Sequence, residues 1–322
     1  MADLQFGAFI PQGWRSELTA SGSSVDQWQV AVDTAVAAED LGYDSLWVYD
    51  HFHNVPTPIH ETVFETWTTL AAISQRTDRI MLGQMVGCAP YRNPGLLAKI
   101  TSQLDVISDG RLIWGIGAGW YEHEFRGYGY DFRETPGTRL RLMRETIEIV
   151  TSMWSQPETS YDGEFFHLEG AQCDPKPLQD PRPQVLVGGG GEKVTLRIVA
   201  ELADASNFGG NPQEFAHKCD VLRGHCDAVG RDFDDVVKTW APNVIVADTE
   251  AEQRRIAEAS PTVTEEFASF KAGNLVGTVA EVVDKIGRYA DMGCSGFYPW
   301  CADYPAHDTL ERFALEVVPQ FR

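Results

Sequence analysis

Basic residues are scarce in this sequence: 26 lysines and arginines stand against 47 aspartates and glutamates, a formal net charge of −21. Such a surface repels nucleic acid and anionic membrane, so neither is expected as a partner. Nothing approaches the roughly 18 consecutive apolar residues of a membrane span. The opening stretch MADLQFGAFI lacks the basic segment and cleavage site of a signal peptide, so a cytoplasmic location is expected. Cysteine is sparse too. Six in 322 residues, with no secretion signal, do not suggest a disulfide framework. Cys219 and Cys226 lie two helical turns apart near His217 and His225, but without CxxC clustering they read as partly buried helix thiols rather than a zinc site. GxSxG, HExxH and kinase signatures are absent, and no paired carboxylates can be singled out among so many acids.

What is present is a repeated alternation. Apolar runs of strand length fall at Leu4–Ile10, Ser45–Tyr49, Ile80–Val86, Leu112–Gly117, Gln184–Val187, Ala205–Phe208, Val237–Val246 and Gly296–Pro299. Helical periodicity separates them. In 25–41, Val25, Trp28, Val32, Val36 and Leu41 share one face, and Gly42 ends the helix. Pro94 opens another helix and Asp109-Gly110 closes it. About eight buried strands joined by crossover helices imply parallel pairing, and in this length they fit an α/β (β/α)8 TIM barrel. The chain reads as one such domain over 1–322, with insertions after strands four and seven. These excursions cover about 120–136, 155–183, where Tyr161–His167 suits a small hairpin, and 250–275. An open doubly wound sheet would show a phosphate turn after its first strand, and PQGWRSELTASGSS has none.

In a barrel, chemistry gathers at the C-terminal strand ends. Those ends carry Asp50-His51 after strand two, Met85-Val86-Gly87-Cys88 after strand three, and Gly117-Ala118-Gly119-Trp120 after strand four. Strand five runs straight into Gly188, Gly189, Gly190 and Gly191, then a helix read from Glu192. Free amides and a positive helix end there would suit a phosphate, although a tight turn without a ligand explains the glycines as well. The turn is neither a Walker A loop nor a Rossmann fingerprint, because Lys193 is followed by Val194 and stands where the third glycine belongs. The unperturbed imidazole lies nearest neutrality among side chains, so His51 is the candidate for proton transfer. His51 and His53 with Asp50 could hold a metal, but alternate residues of an extended segment point apart. Trp120, Tyr121 and Phe125 could wall a pocket or simply fill the insertion; Glu122 and Glu124 read as solvated. Together these residues describe a site for a flat, phosphate-tailed ring cofactor.

LGYDSLWVYDHF (41–52), LGQMVGCAPYRNPGLLAK (82–99), DVISDGRLIWGIGAGW (105–120) and VLVGGGGEKVTLRIVAELAD (185–204), with the helix RLRLMRETIEIVTSMW, resemble the bacterial luciferase-like monooxygenase superfamily. The likeness is to its branch that uses the deazaflavin coenzyme F420. It implies a TIM barrel and a non-prolyl cis peptide at Met85–Val86 beneath the cofactor ring. It also implies Asp50 beside the ring, His51 as acid–base residue, and the cofactor phosphate at Gly188–Gly191 and the following helix end at Glu192. Met85, Val86, Gly117, Ala118 and Trp120 complete the cofactor contacts that the resemblance implies. The activity expected is hydride transfer between F420 and a small organic substrate, in a homodimer. An FMN-dependent monooxygenase is the alternative, and a non-catalytic binding protein on the same scaffold is a third reading. One departure stands out. Sugar-phosphate dehydrogenases of the branch carry a glutamate where Trp120 stands, and no basic cluster for a substrate phosphate is evident.

Overall fold

The computed structural model describes residues 4–322. Eight strands form its centre: β1 (Gln5–Phe9), β2 (Ser45–Val48), β3 (Met81–Gln84), β4 (Leu112–Gly117), β5 (Gln184–Gly188), β6 (Ala205–Asn207), β7 (Val237–Trp240) and β8 (Cys294–Phe297). Each pairs in parallel with the next, β3 joins β4, and β8 returns to β1, so the ring is closed. Parallel neighbours require crossovers, and these are helices α1 (Ser24–Asp40), α2 (Thr66–Ile73), α3 (Pro94–Ile107), α4 (Pro136–Ser155), α5 (Thr195–Leu202), α6 (Pro212–Val229) and α7 (Val279–Asp291). The architecture is a (β/α)8 TIM barrel.

Local chemistry sets where these helices begin. Ser23 and Asp26 make a reciprocal capping box at the start of α1, as do Asn211 with Glu214 at α6 and Thr278 with Glu281 at α7. Gly230 ends α6 in the left-handed conformation. The inner face of α1 differs from the sequence reading: Ala31, Val32, Ala35 and Ala38 are buried, whereas Val25 is 76% exposed. Small residues let the helix lie close against the strands. Inside the ring, Trp47 fills the space that Gly7 and Gly83 leave; a Cβ on either would come within 2.5 Å of the indole. Its other side stacks on Tyr298 at 4.6 Å.

The strand expected over 237–246 is two strands. Pro242 cannot donate to a ladder, and the chain leaves β7 to form a second parallel sheet, in which Asn243–Val246 lies between Leu275–Gly277 and Trp300–Cys301. This sheet lies just past the C-terminal ends of β7 and β8, and Trp300 packs 5.6 Å from Phe9 and 5.5 Å from Tyr49. Helices Glu250–Ala259 and Phe267–Gly273 fall within the insertion expected over 250–275. The expected hairpin is present, with Thr159–Asp162 pairing antiparallel to His167–Ala171. No helix among the described residues is long and apolar enough to cross a membrane.

Candidate active site

β3 ends at Gln84, two residues earlier than the apolar run suggested, and the Met85–Val86 peptide bond is cis. The chain then rejoins β4 through Gly87 and Cys88. The Val86 side chain lands on Gly117 and Gly188: a Cβ on Gly117 would lie 2.6 Å from Val86 Cγ2, and one on Gly188 would lie 2.9 Å from both methyls. Side chains at those strand ends would evict Val86 from the floor of the barrel mouth. The glycines therefore serve a neighbouring valine as well as any ligand above it.

Over this floor runs a cleft of two chambers that share Met85, Val86, Gly117, Gly119 and Trp120. The inner chamber, about 180 Å³, is bounded by Trp14, Tyr49, Asp50, His51, Cys88, Tyr91 and Tyr121 as well. The outer one, about 480 Å³, adds Ala118, Arg139, Gly188, Gly189, Gly191, Thr195 and Asn207. Strand ends β2 to β6 all reach it, so the imidazole and the glycine turn open on the same rim.

His51 is held from several sides. Its ring stacks on Trp14 at 4.8 Å and 9°, and Trp120 meets it edge-on at 5.9 Å. Nδ1 lies 2.9 Å from Glu124 Oε2. Glu124 was expected in solvent, and the structure overturns that: it is fully buried. It sits in the short helix Glu122–Gly127, where Glu122 turns outward to Arg126 while Glu124 turns in. Oε2 also accepts from Tyr91 Oη at 2.8 Å, and Oε1 accepts the amides of Phe52 and His53 at 2.6 and 3.2 Å. Burial alone would raise this carboxyl, but the hydrogen bonds outweigh it, with His51 contributing most, and hold the group below the usual carboxylate range. Because every neighbour of Glu124 donates, His51 Nδ1 must donate too. The second nitrogen, Nε2, is left as the acceptor.

Asp50 is buried and fully engaged: Arg92 grips both oxygens at 2.6 and 2.9 Å, and the Cys88 amide adds a 2.8 Å bond. Arg92 reaches on to Glu65 at 2.8 Å. Asp50 thus fixes the Cys88 turn beside the cleft floor.

At the outer end, Gly189 N–H bonds to Asn207 O at 2.9 Å, while the amides of Gly190 and Gly191 find no acceptor among the described residues. The helix here starts at Thr195, later than the sequence implied, and no side chain caps it. Gly190 and Glu192 do not line the cleft: the missing Cβ of Gly190 would face Lys218, and Glu192 is tied to Lys218 at 2.8 Å and to His217 at 3.2 Å. Arg139, buried, lines this chamber and donates to the carbonyls of Gly119 and Arg133 at 3.2 and 2.8 Å. Phe125 lies beneath the site, 4.9 Å from Tyr91. All six cysteines are free and buried, and among the described residues no His, Cys, Asp and Glu group could hold a metal ion.

With this geometry established, similarity to known proteins is informative. The sequence profile of the luciferase-like monooxygenases matches residues 4–273. The chain belongs to that family. Within it, an F420-dependent glucose-6-phosphate dehydrogenase of Amycolatopsis mediterranei is 32% identical over 326 residues, covering 90% of this chain and 94% of the relative. An F420-dependent secondary alcohol dehydrogenase, solved with an F420–acetone adduct, superposes with a TM-score of 0.83 at 18% identity over 99% of both chains. The FMN complex of the oxygenating constituent of 3,6-diketocamphane monooxygenase from Pseudomonas putida gives 0.78 at 20% identity, again over 99% of both chains. At such identities the structural matches establish the fold. This family member thus combines the shared barrel with a His51–Glu124 pair whose carboxylate is buried, which its sequence alone had hidden.

Proposed function

We propose that this luciferase-like family member is an oxidoreductase that binds coenzyme F420 and transfers a hydride between it and a small organic substrate. The observation that carries the reading is the continuous cleft with an oriented imidazole at one end and unpaired glycine amides at the other. The 32%-identical relative, named as F420-dependent, supports the choice of cofactor.

The residues present suit such a group. Met85 and Val86 offer an apolar floor for a planar ring, and Trp120 borders it. Gly189 and Gly191, bare of side chains, would admit a phosphate to the free amides at the turn, with Arg139 the cation that lines the same chamber. We assign cofactor contacts to Asp50, Met85, Val86, Gly117, Ala118, Trp120, Gly188, Gly189 and Gly191, with Gly190 and Glu192 shaping the turn beside Lys218. When bound, the deazaflavin would supply the two-electron hydride chemistry. The protein's part is proton handling. His51 takes a proton at Nε2 from a substrate hydroxyl or returns it to a carbonyl, while Glu124 offsets the charge on the imidazolium. Trp14 and Trp120 keep water from the ring.

The alternative is an FMN-dependent monooxygenase, favoured by the FMN complex that shares this fold. Titrating the purified protein with F420 and with FMN separates the two. Tight FMN binding without F420 binding would remove the first reading. The same reading makes the enzyme a cytoplasmic homodimer of one barrel domain, and a monomeric mass by light scattering would count against the dimer.

A further inference from the structure

The inner chamber contains no free charge. Asp50 is neutralised by a two-pronged bond to Arg92, and Glu124 is saturated by four donors. Burial pushes the Cys88 thiol and the Tyr49 and Tyr91 phenols above their ordinary values. No lysine or arginine lines this chamber: Arg92 is committed to Asp50 and Glu65, Arg15 lies 4.4 Å over the Trp14 ring but outside the lining, and Arg139 borders only the outer chamber. The walls are instead the faces and edges of Trp14, Tyr49, Trp120 and Tyr121. Tyr49 is clamped between Phe9 at 4.6 Å and Trp14 at 4.0 Å, and its hydroxyl has no partner among the described residues.

His51 Nε2 therefore faces a ligand inside an aromatic box. An anion entering this box would meet no lysine or arginine in the lining, with Asp50 among the walls and Glu65 and Glu124 behind them. The volume, about 180 Å³, equals about six waters at roughly 30 Å³ each. We infer that the inner chamber takes an uncharged hydroxyl or carbonyl compound with a small, flat apolar body, its oxygen at His51 Nε2, and that it excludes sugar phosphates. Trp120 supplies part of the apolar wall, edge-on to His51. This inference rests on the proposed oxidoreductase reading but concerns only the protein's own walls.

The test is direct binding to the full chain without cofactor, read by tryptophan fluorescence and by saturation-transfer NMR. The probes are cyclohexanone, glucose 6-phosphate and choline. Cyclohexanone is expected to bind saturably, and Trp120→Glu and His51→Asn are each expected to weaken it by about tenfold or more. Trp120 is exposed enough that its replacement leaves folding intact. Glucose 6-phosphate and choline are expected not to compete at about 1 mM, the upper end of ordinary KM values. Tighter binding of either charged probe, or cyclohexanone binding unaffected by both substitutions, would overturn the inference. F420 binding, followed separately by the deazaflavin's own fluorescence, keeps the two readings apart. Neutral-ligand binding without F420 binding sinks the proposed function and spares the chamber; F420 binding with glucose 6-phosphate turnover does the reverse.

Discussion

His51 Nδ1 donates to Glu124 Oε2 across 2.9 Å, although 73 residues separate the two in the chain. The carboxylate is fully buried and takes three further hydrogen bonds, so it cannot rotate to release the imidazole. This contact fixes the tautomer that faces the cleft, and under the proposed function it makes Glu124 a positioning residue for proton transfer by His51.

Replacing Glu124 with Gln puts one donating NH₂ among four donors, so one side of the network must break. The imidazole then turns or changes tautomer. We expect kcat to fall by about 10²-fold or more, within the range of acid–base contributions. F420 affinity should be little changed, because Glu124 lies outside both chambers' lining. His51→Asn should cost about as much, and the double variant little more, since the pair acts as a unit. Steady-state rates beside cofactor titrations check all three expectations.

The same carboxylate gives a signed pH dependence. Its folded pKa is depressed, so its stabilisation is fully present above the unfolded value of about 4.3 and is lost as pH falls through the lower folded value. The stability difference between wild type and Glu124→Gln should be flat through neutral pH and shrink only below about pH 4. Urea unfolding across an acid pH series measures it.

Much of the barrel was legible in the sequence because apolar runs and helical periodicity report burial directly; β4 matches its expected bounds residue for residue. Gly117 and Gly188 could be read as strand-end glycines, but not as seats for Val86, because that contact depends on how three strands are placed. Glu124 was missed for a similar reason. Glu122 and Glu124 look alike in the sequence, yet two positions along a helix face nearly opposite ways, and only the docked helix shows which one is inside. The break at Pro242 left a clear local mark, a proline within an apparent strand. A carboxylate buried by its tertiary neighbours leaves none.

The floor can be tested by size. Gly117→Ala places a methyl 2.6 Å from Val86 Cγ2, which must shift; overpacking of this kind costs about 1–3 kcal/mol and should weaken cofactor binding as well. Gly115→Ala is worse, because its Cβ would lie 1.8 Å from the backbone oxygen of Gln84, and we expect little soluble protein. Gly127→Ala, with nothing within 4 Å at the end of the short helix, should be neutral or slightly stabilising. Thermal melts and F420 titrations of the three distinguish these outcomes.

Asp50 and Arg92 suit a double-mutant cycle. Asp50 is 3% exposed, and Arg92 supplies the only side-chain charge that it contacts among the described residues. Arg92→Met would strand a buried carboxylate, and breaking such a pair from one side costs about 3–5 kcal/mol. Asp50→Asn would leave Arg92 with Glu65 at 2.8 Å as its remaining anion, so its cost should be smaller. The double variant buries no unpaired carboxylate, and it should recover a large part of the loss seen in Arg92→Met. A coupling energy of about 1–3 kcal/mol would identify the pair as a structural clamp on the Cys88 turn. Additive costs would instead mean that Arg92 acts mainly by packing on Trp67, whose ring centroid lies 5.7 Å from its guanidinium.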